Sequence, residues 1–316
     1  MKRVAYVYHP DYLLHSPPFE HPESPERLLA IDDHLRSSGL LERMLRITPD
    51  YADDEDVLRV HDKAYLHQVE TACRRGDLTL DAGDTYLNRH SYVTALLSAG
   101  GAIAGSGAVA SGEADRAFCA IRPPGHHAGR GEGMGFCLIN NIAVAARHLQ
   151  HRHGVGKVLI VDWDVHHGNG TQNIFYDDPS VFFFSIHEHP TFLYPGTGRR
   201  WEIGTGQGEG TTLNTPMAPG AGDDEYRATF EQLLLPAVER FRPEIVLVSA
   251  GFDAHRDDPL ADIQLTDEGF RFMTRTVVEL AEQYCGGKVV SLLEGGYEIA
   301  SLTSCIEIHI RELIGE

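Results

Sequence analysis

The densest chemistry in the chain is Val161-Asp162-Trp163-Asp164-Val165-His166-His167-Gly168-Asn169-Gly170, directly after an apolar run that begins at Val158. Read as a strand through Val165, this segment alternates its side chains, so Asp162, Asp164 and His166 fall on one side at its carboxyl end. Two carboxylates and an imidazole gathered there are metal-ligand chemistry. One Asp-and-His pair could equally cap the next helix, and support must come from elsewhere. A second apolar run, from Ile245, ends in Ser249-Ala250-Gly251-Phe252-Asp253-Ala254-His255. Asp164, His166 and Asp253 then make three N/O ligands with a position left for water, the form of a catalytic rather than a structural zinc site. Oxygen-rich ligation leaves ferrous iron or another divalent ion open. A third run, from Ala117, leads into Arg122-Pro123-Pro124-Gly125-His126-His127-Ala128, whose tandem histidines could supply a general base and an electrostatic partner. A fourth, from Val289, ends in Glu294-Gly295-Gly296-Tyr297, where the glycines allow a sharp turn that projects a phenol. Alone, a His-His pair is commonly a surface feature and a Tyr a packing residue. Four strand ends that agree argue against coincidence.

The elements that must position these groups read as strands over Val4 to Tyr8, Ala117 to Ile121, Val158 to Val165, Val181 to Ile186, Ile245 to Ser249 and Val289 to Leu293. Most are apolar on both faces, which suits a parallel sheet covered by helices on each side. Ligands of such sheets bind at the strands' carboxyl ends, where all four motifs lie. Ser24-Pro25 predicts an N-cap and a first helical position, opening a helix to about Ser37 that Gly39 ends. Further helices are predicted over about Asp53 to Arg75, His90 to Ala110, Asn140 to His153, Asp223 to Phe241, Asp267 to Tyr284 and Leu302 to Leu313. No linker, repeat or composition break divides the chain, so residues 1–316 read as one α/β domain. The stretch from His187 to Gly222 shows no evident element, and so long a loop in a compact domain is usually functional or disordered.

Composition is that of an ordinary globular protein, with 42% hydrophobic and 23% charged residues. The formal charge of -19 opposes nonspecific attraction to nucleic acid or anionic membrane and favours cationic ligands. Five cysteines, Cys73, Cys119, Cys137, Cys285 and Cys305, form no CxxC pair and read as reduced core thiols. The apolar run near Met1 is too short for a signal peptide, and no stretch approaches ~18 uninterrupted apolar residues. A cytoplasmic location is expected.

Together these motifs resemble the histone deacetylase family, which includes acetylpolyamine amidohydrolases and acetoin utilization proteins of the arginase/deacetylase fold. The resemblance runs from His21-Pro22-Glu23-Ser24-Pro25-Glu26-Arg27 to Glu294-Gly295-Gly296-Tyr297. It implies one zinc ion per chain on Asp164, His166 and Asp253, His126 and His127 as catalytic histidines, and Tyr297 as the group that polarises the scissile carbonyl. It also implies that Asp162 bonds to His126 and joins a structural K+ or Na+ site with Ser185 and the backbone near Asp164, His166 and Ile186. Asn169 falls where some members place Asp as partner of the second histidine, and His166-His167-Gly168-Asn169-Gly170-Thr171-Gln172 is similar to the class II pattern. Gly135-Phe136 resembles one wall of an acyl-lysine tunnel. The opposite wall is usually Phe before a Pro-Gly turn; here Tyr194 precedes Pro195-Gly196 with Phe192 nearby, which leaves that wall open. Leu260 matches the apolar residue of lysine deacetylases, where a polyamine-selective relative would place a carboxylate. The implied substrate is an acylated lysine of a protein or peptide, or an acylated small amine.

Two rival readings come from other classes. A two-manganese ureohydrolase on the same fold would need further bridging carboxylates, whereas Asp253-Ala254-His255 continues into Arg256. A silent binding module for acyl-lysine or polyamine would need neither His127 nor Tyr297.

Overall fold

The computed structural model describes residues 1–81 and 83–316. Among these residues, eight strands form one sheet: β1 (Val4–Val7), β2 (Leu45–Ile47), β3 (Arg116–Cys119), β4 (Val158–Asp162), β5 (Val181–Glu188), β6 (Thr212–Met217), β7 (Ile245–Ala250) and β8 (Val289–Leu293). Their order across the sheet is β2-β1-β3-β8-β7-β4-β5-β6, and every pairing is parallel. Every residue of β1, β3, β4, β5, β7 and β8 is buried, as two-sided helix cover requires. One layer of helices is α4 (Ser91–Ser111) packed on α5 (Asn141–His153). Another is α1 (Pro25–Ser37), α9 (Asp267–Tyr284) and α10 (Ile299–Ile314). The chain lays β1 to β6 outward from both sides of a gap and then returns, placing β7 and β8 between β3 and β4. The four strands that carry the chemical motifs thereby become neighbours, in the order β3-β8-β7-β4.

The structure corrects several expectations. The strand from Val158 ends at Asp162 rather than Val165, because the Asp162 carboxylate accepts the Asp164 N–H at 3.2 Å and turns the chain out of the sheet. Strand alternation therefore does not place Asp162, Asp164 and His166, although the three remain close. A short helix, Asn169–Phe175, begins inside the motif itself. The helix predicted over 53–75 is two, Asp54–Leu58 and Lys63–Arg75, separated by residues 59–62. The stretch 187–222 holds the end of β5 and all of β6, whose polar residues Thr212, Asn214 and Thr215 hid its strand character. Edge strand β2, three residues long, is too brief to carry a sequence pattern. Pro25 opens α1 as expected, though Ser24 supplies no side-chain cap, and Gly39 follows its end at φ +72° with Leu40 N–H bonded to Leu35 C=O. All five cysteines are free and buried. By length and composition α4 could cross a membrane; here most of it is buried in the fold, against the sheet and α5.

Candidate active site

Asp164 and Asp253 face His166 across the ends of β4 and β7. His166 Nδ1 lies 3.1 Å from Asp164 Oδ1 and 3.1 Å from Asp253 Oδ2. Each carboxylate is anchored by backbone donors: Asp164 Oδ1 accepts the His166 N–H at 2.9 Å, its Oδ2 the Gly295 N–H at 2.8 Å, and Asp253 Oδ1 the Val165 N–H at 2.9 Å. Gly295 is required here, since a Cβ would lie 2.1 Å from Asp253 Oδ2 and 2.7 Å from Asp164 Oδ2. Burial and the neighbouring Asp164 push the Asp253 carboxyl well up, and burial opposes but the two carboxylates raise His166 to about 10. Two buried, like-charged carboxylates sharing one imidazole nitrogen are a donor set that calls for a cation. The N/O/O combination fits a divalent ion with an open position. All three ligand atoms lie within 4.8 Å of one another.

The tandem histidines sit beside this trio, and their partners differ. His126 Nδ1 donates to Asp162 Oδ2 at 3.1 Å, and its Nε2 lies 3.8 Å from Asp164 Oδ1. Burial opposes protonation, but Asp164 and Asp162 together raise His126 to about 10. His127 Nδ1 pairs with Asn169 Oδ1 at 2.7 Å. An amide oxygen only accepts, so Nδ1 carries the proton and Nε2 keeps a lone pair. Burial, reinforced by His126 and His166, holds His127 well below the usual histidine range. Two identical side chains one residue apart are thus shifted in opposite directions by their surroundings.

His126, His127, His166, Gly135, Phe136, Tyr194, Leu260 and Tyr297 share the lining of one cavity of about 380 Å³. Phe136 is held at φ +69°, a costly conformation for a side-chain-bearing residue, and Gly135 before it leaves room for His127, whose Cδ2 would be 2.4 Å from a Cβ. Tyr194 also lines the cavity, with its ring centroid 5.2 Å from that of His127. Phe192, 65% exposed, lines a separate depression with Trp201. Of the residues the family resemblance assigns to a monovalent cation, Ser185 pairs with Asp162 in the sheet register and Ile186 follows it; the Ser185 hydroxyl bonds His187 Nδ1 at 2.7 Å.

Five residues that sequence reasoning gave no role also shape the site. Glu294 accepts Gly125 N–H at 2.7 Å, His126 N–H at 3.2 Å and the Ser249 hydroxyl at 3.0 Å, so it ties three strand ends together. Asp258 accepts the backbone N–H of Tyr297 at 2.6 Å, of Glu298 at 3.2 Å and of Leu260 at 3.1 Å. Arg27 donates to the carbonyls of Gly296 at 2.7 Å and Glu294 at 2.6 Å, and its guanidinium lies 5.0 Å from the Tyr297 ring centroid. Behind it, Glu23 pairs with Arg122 through both oxygens. Asp84 joins the cavity mouth. Glu23, Arg27, Asp258 and Glu294 lie inside motifs visible in the sequence, but bonds to partners far along the chain have no local signal. Asp84 had none.

Residues 21–313 match the histone deacetylase domain. The chain belongs to the histone deacetylase family. It is 45% identical over 296 residues to a histone deacetylase-like amidohydrolase of Pseudomonas aeruginosa, covering 93% of this chain and 77% of that one. It is 39% identical over 332 residues to the human polyamine deacetylase HDAC10, covering 99% of this chain and 48% of that one. Its fold matches the solved HDA15 HD domain at a TM-score of 0.95 and 40% identity, over 100% of this chain and 90% of that one. As a histone deacetylase family member, this chain is a hydrolase of the deacetylase and amidohydrolase type, on the arginase/deacetylase fold expected from its motifs.

Proposed function

We propose that this deacetylase removes acetyl or other acyl groups from lysine side chains, using one zinc ion held by Asp164, His166 and Asp253. The observation that carries this reading is that the Asp164, His166 and Asp253 ligand atoms converge at a cavity that His166 lines together with His127 and Tyr297. A divalent ion there supplies Lewis-acid activation of water and of the amide carbonyl. His127 Nε2 takes the proton from the attacking water, and Asn169 holds the ring in the tautomer that leaves this nitrogen free. Asp162 accepts from His126 Nδ1 and orients that ring beside the reacting centre. The Tyr297 phenol, kept protonated by burial, donates to the oxygen that gains charge in the tetrahedral adduct. The histidine pair returns a proton to the departing amine, leaving acetate and free lysine. Phe136, Tyr194 and Leu260 enclose the uncharged methylene stem. A structural K+ or Na+ beside Asp162, Ser185 and the backbone around Asp164, His166 and Ile186 completes the proposal.

Asp84 favours a second reading, in which an acetylpolyamine is the substrate: it places a carboxylate at the same mouth as Leu260, where a cationic nitrogen would pass. Specific activities over acetyl-lysine peptides, longer acyl-lysines, acetylspermidine and acetylputrescine, with and without a chelator, separate the two. Acetyl-lysine peptides should give the higher kcat/KM. Inactivity on all four classes by the metal-replete protein would overturn the proposal.

A further inference from the structure

A second cluster of ligating side chains lies where the loop after β7 meets α9 and α10. Asp267, the first residue of α9, places Oδ1 3.4 Å from His255 Nε2 and 3.4 Å from Cys305 Sγ. The three ligand atoms fall within 4.8 Å of one another. A tetrahedral ion with bonds of about 2.0 Å to nitrogen and oxygen and about 2.3 Å to sulfur spans ligand-to-ligand edges of about 3.3–3.5 Å. Both measured edges suit it. His255 and Cys305 are buried, whereas the Asp267 side chain is 43% exposed, which leaves an approach for an ion and room for water as fourth ligand.

Neighbouring groups orient these ligands. Asp267 Oδ2 accepts the Ser304 hydroxyl at 2.9 Å, which turns Oδ1 toward the other two. His255 Nδ1 accepts the Asp257 N–H at 3.2 Å, with the Asp257 carboxylate 3.6 Å away. With Nδ1 accepting, the ring proton sits on Nε2; ligation through Nε2 would use the other tautomer, with the Nδ1–H turned toward the Asp257 carboxylate.

We propose that His255, Asp267 and Cys305 form a second, non-catalytic divalent-cation site that selects zinc and similar borderline-soft ions through its sulfur ligand. This is one ion more than the family resemblance implies, and it stands apart from the catalytic reading. Binding forms the metal–sulfur bond as Cys305 releases its proton to solvent; His255 ligates through the Nε2 lone pair with its proton on Nδ1, and Asp267 enters as carboxylate. Two anionic ligands then neutralise a dipositive ion. The loop it would clamp carries Asp258, which holds the Tyr297 backbone, and Leu260 at the cavity mouth. The same contacts also describe a plain hydrogen-bonded cluster in which the Cys305 thiol donates to Asp267.

Cobalt(II) loading of the whole chain decides between them, because the catalytic trio contains no sulfur and only the second site can give a near-ultraviolet sulfur-to-cobalt charge-transfer band. The wild type should take up a second equivalent of cobalt together with that band. Cys305→Ser should lose the band and the second equivalent while keeping the first. Asp267→Asn should weaken the second equivalent by at least about tenfold, and Asp253→Ala should lose the first equivalent yet keep the band, so a misfolding variant at one position leaves the others informative. A single equivalent without the band in the wild type, or a band that survives Cys305→Ser, overturns the site.

Discussion

The floor of the cavity draws its polar groups from the ends of neighbouring strands β3, β8, β7 and β4, whereas its mouth is assembled from loops carrying His21, Asp84, Phe136, Leu193, Tyr194 and Leu260. On the floor, His126, His127, Asp164 and Asp253 are at most 4% exposed, and each is held by a backbone donor or a buried side chain. At the mouth, Tyr194 is 42% exposed and Asp84 is exposed as well. The difference teaches a division of labour. Groups that must hold charge at fixed separation sit where low dielectric and many hydrogen bonds leave them one arrangement. On the proposed reading, the groups that sort substrates sit where a change of side chain disturbs little else.

The sharpest way to break this division is at the floor. Asp253→Ala should abolish activity, a loss on the order of several kcal/mol of transition-state stabilisation, and should lower metal content in parallel. Full turnover of that variant would remove Asp253 from the trio.

Beneath the floor, the buried Glu23–Arg122 pair supports the segment bearing Arg27. Burial opposes ionisation of Glu23, but Arg122 wins and holds it at about 2. Glu23→Gln leaves the Arg122 charge unpaired and should cost about 3–5 kcal/mol at neutral pH, read by denaturant unfolding. Because the folded pKa lies below the unfolded value of about 4.3, the stabilisation is complete above that pH and is lost as pH falls toward about 2. The gap between wild type and variant should therefore close over that acidic window. A gap independent of pH would mean that the substituted amide fails by packing rather than by charge.

Tyr297→Phe tests the boundary between the two regions, since its backbone is clamped by Asp258 and its ring reaches the cavity. Turnover should fall by about 3 kcal/mol while KM and metal content hold. Wild-type kcat in this variant would make the phenol a wall residue.

The smallest effect is expected at the mouth. Leu260→Glu should shift preference from acetyl-lysine peptides toward acetylspermidine by about tenfold in kcat/KM, or about 1.4 kcal/mol, with folding stability nearly unchanged. Asp84→Asn should reduce whatever acetylspermidine turnover the wild type has. If Asp84→Asn leaves the ratio untouched, the carboxylate at the rim reads no amine.

Much of this was legible along the chain because the signals were local. Double-sided apolar strands announced a parallel sheet, and carboxylates, histidines and a tyrosine directly after them announced a site at its carboxyl edge. Sequence also singled out Asp164 and Asp253, with His166, because each follows an apolar strand run. Other features depended on distance in space. That β7 and β8 return to fill the gap between β3 and β4 cannot be read from periodicity, which describes a strand's faces and not its neighbours. The opposite shifts of His126 and His127 follow from what each ring meets: Asp164 and Asp162, the latter 36 positions away, raise His126, whereas burial with His126 and His166 lowers His127, whose tautomer Asn169, 42 positions away, fixes. The clamp from Asp258 to Tyr297 and the choice of Tyr194 over Phe192 as the wall were likewise decided by tertiary contact. Residue type sets which chemistry a side chain can do, but charge state, orientation and enclosure are set by groups that only folding brings within hydrogen-bonding distance.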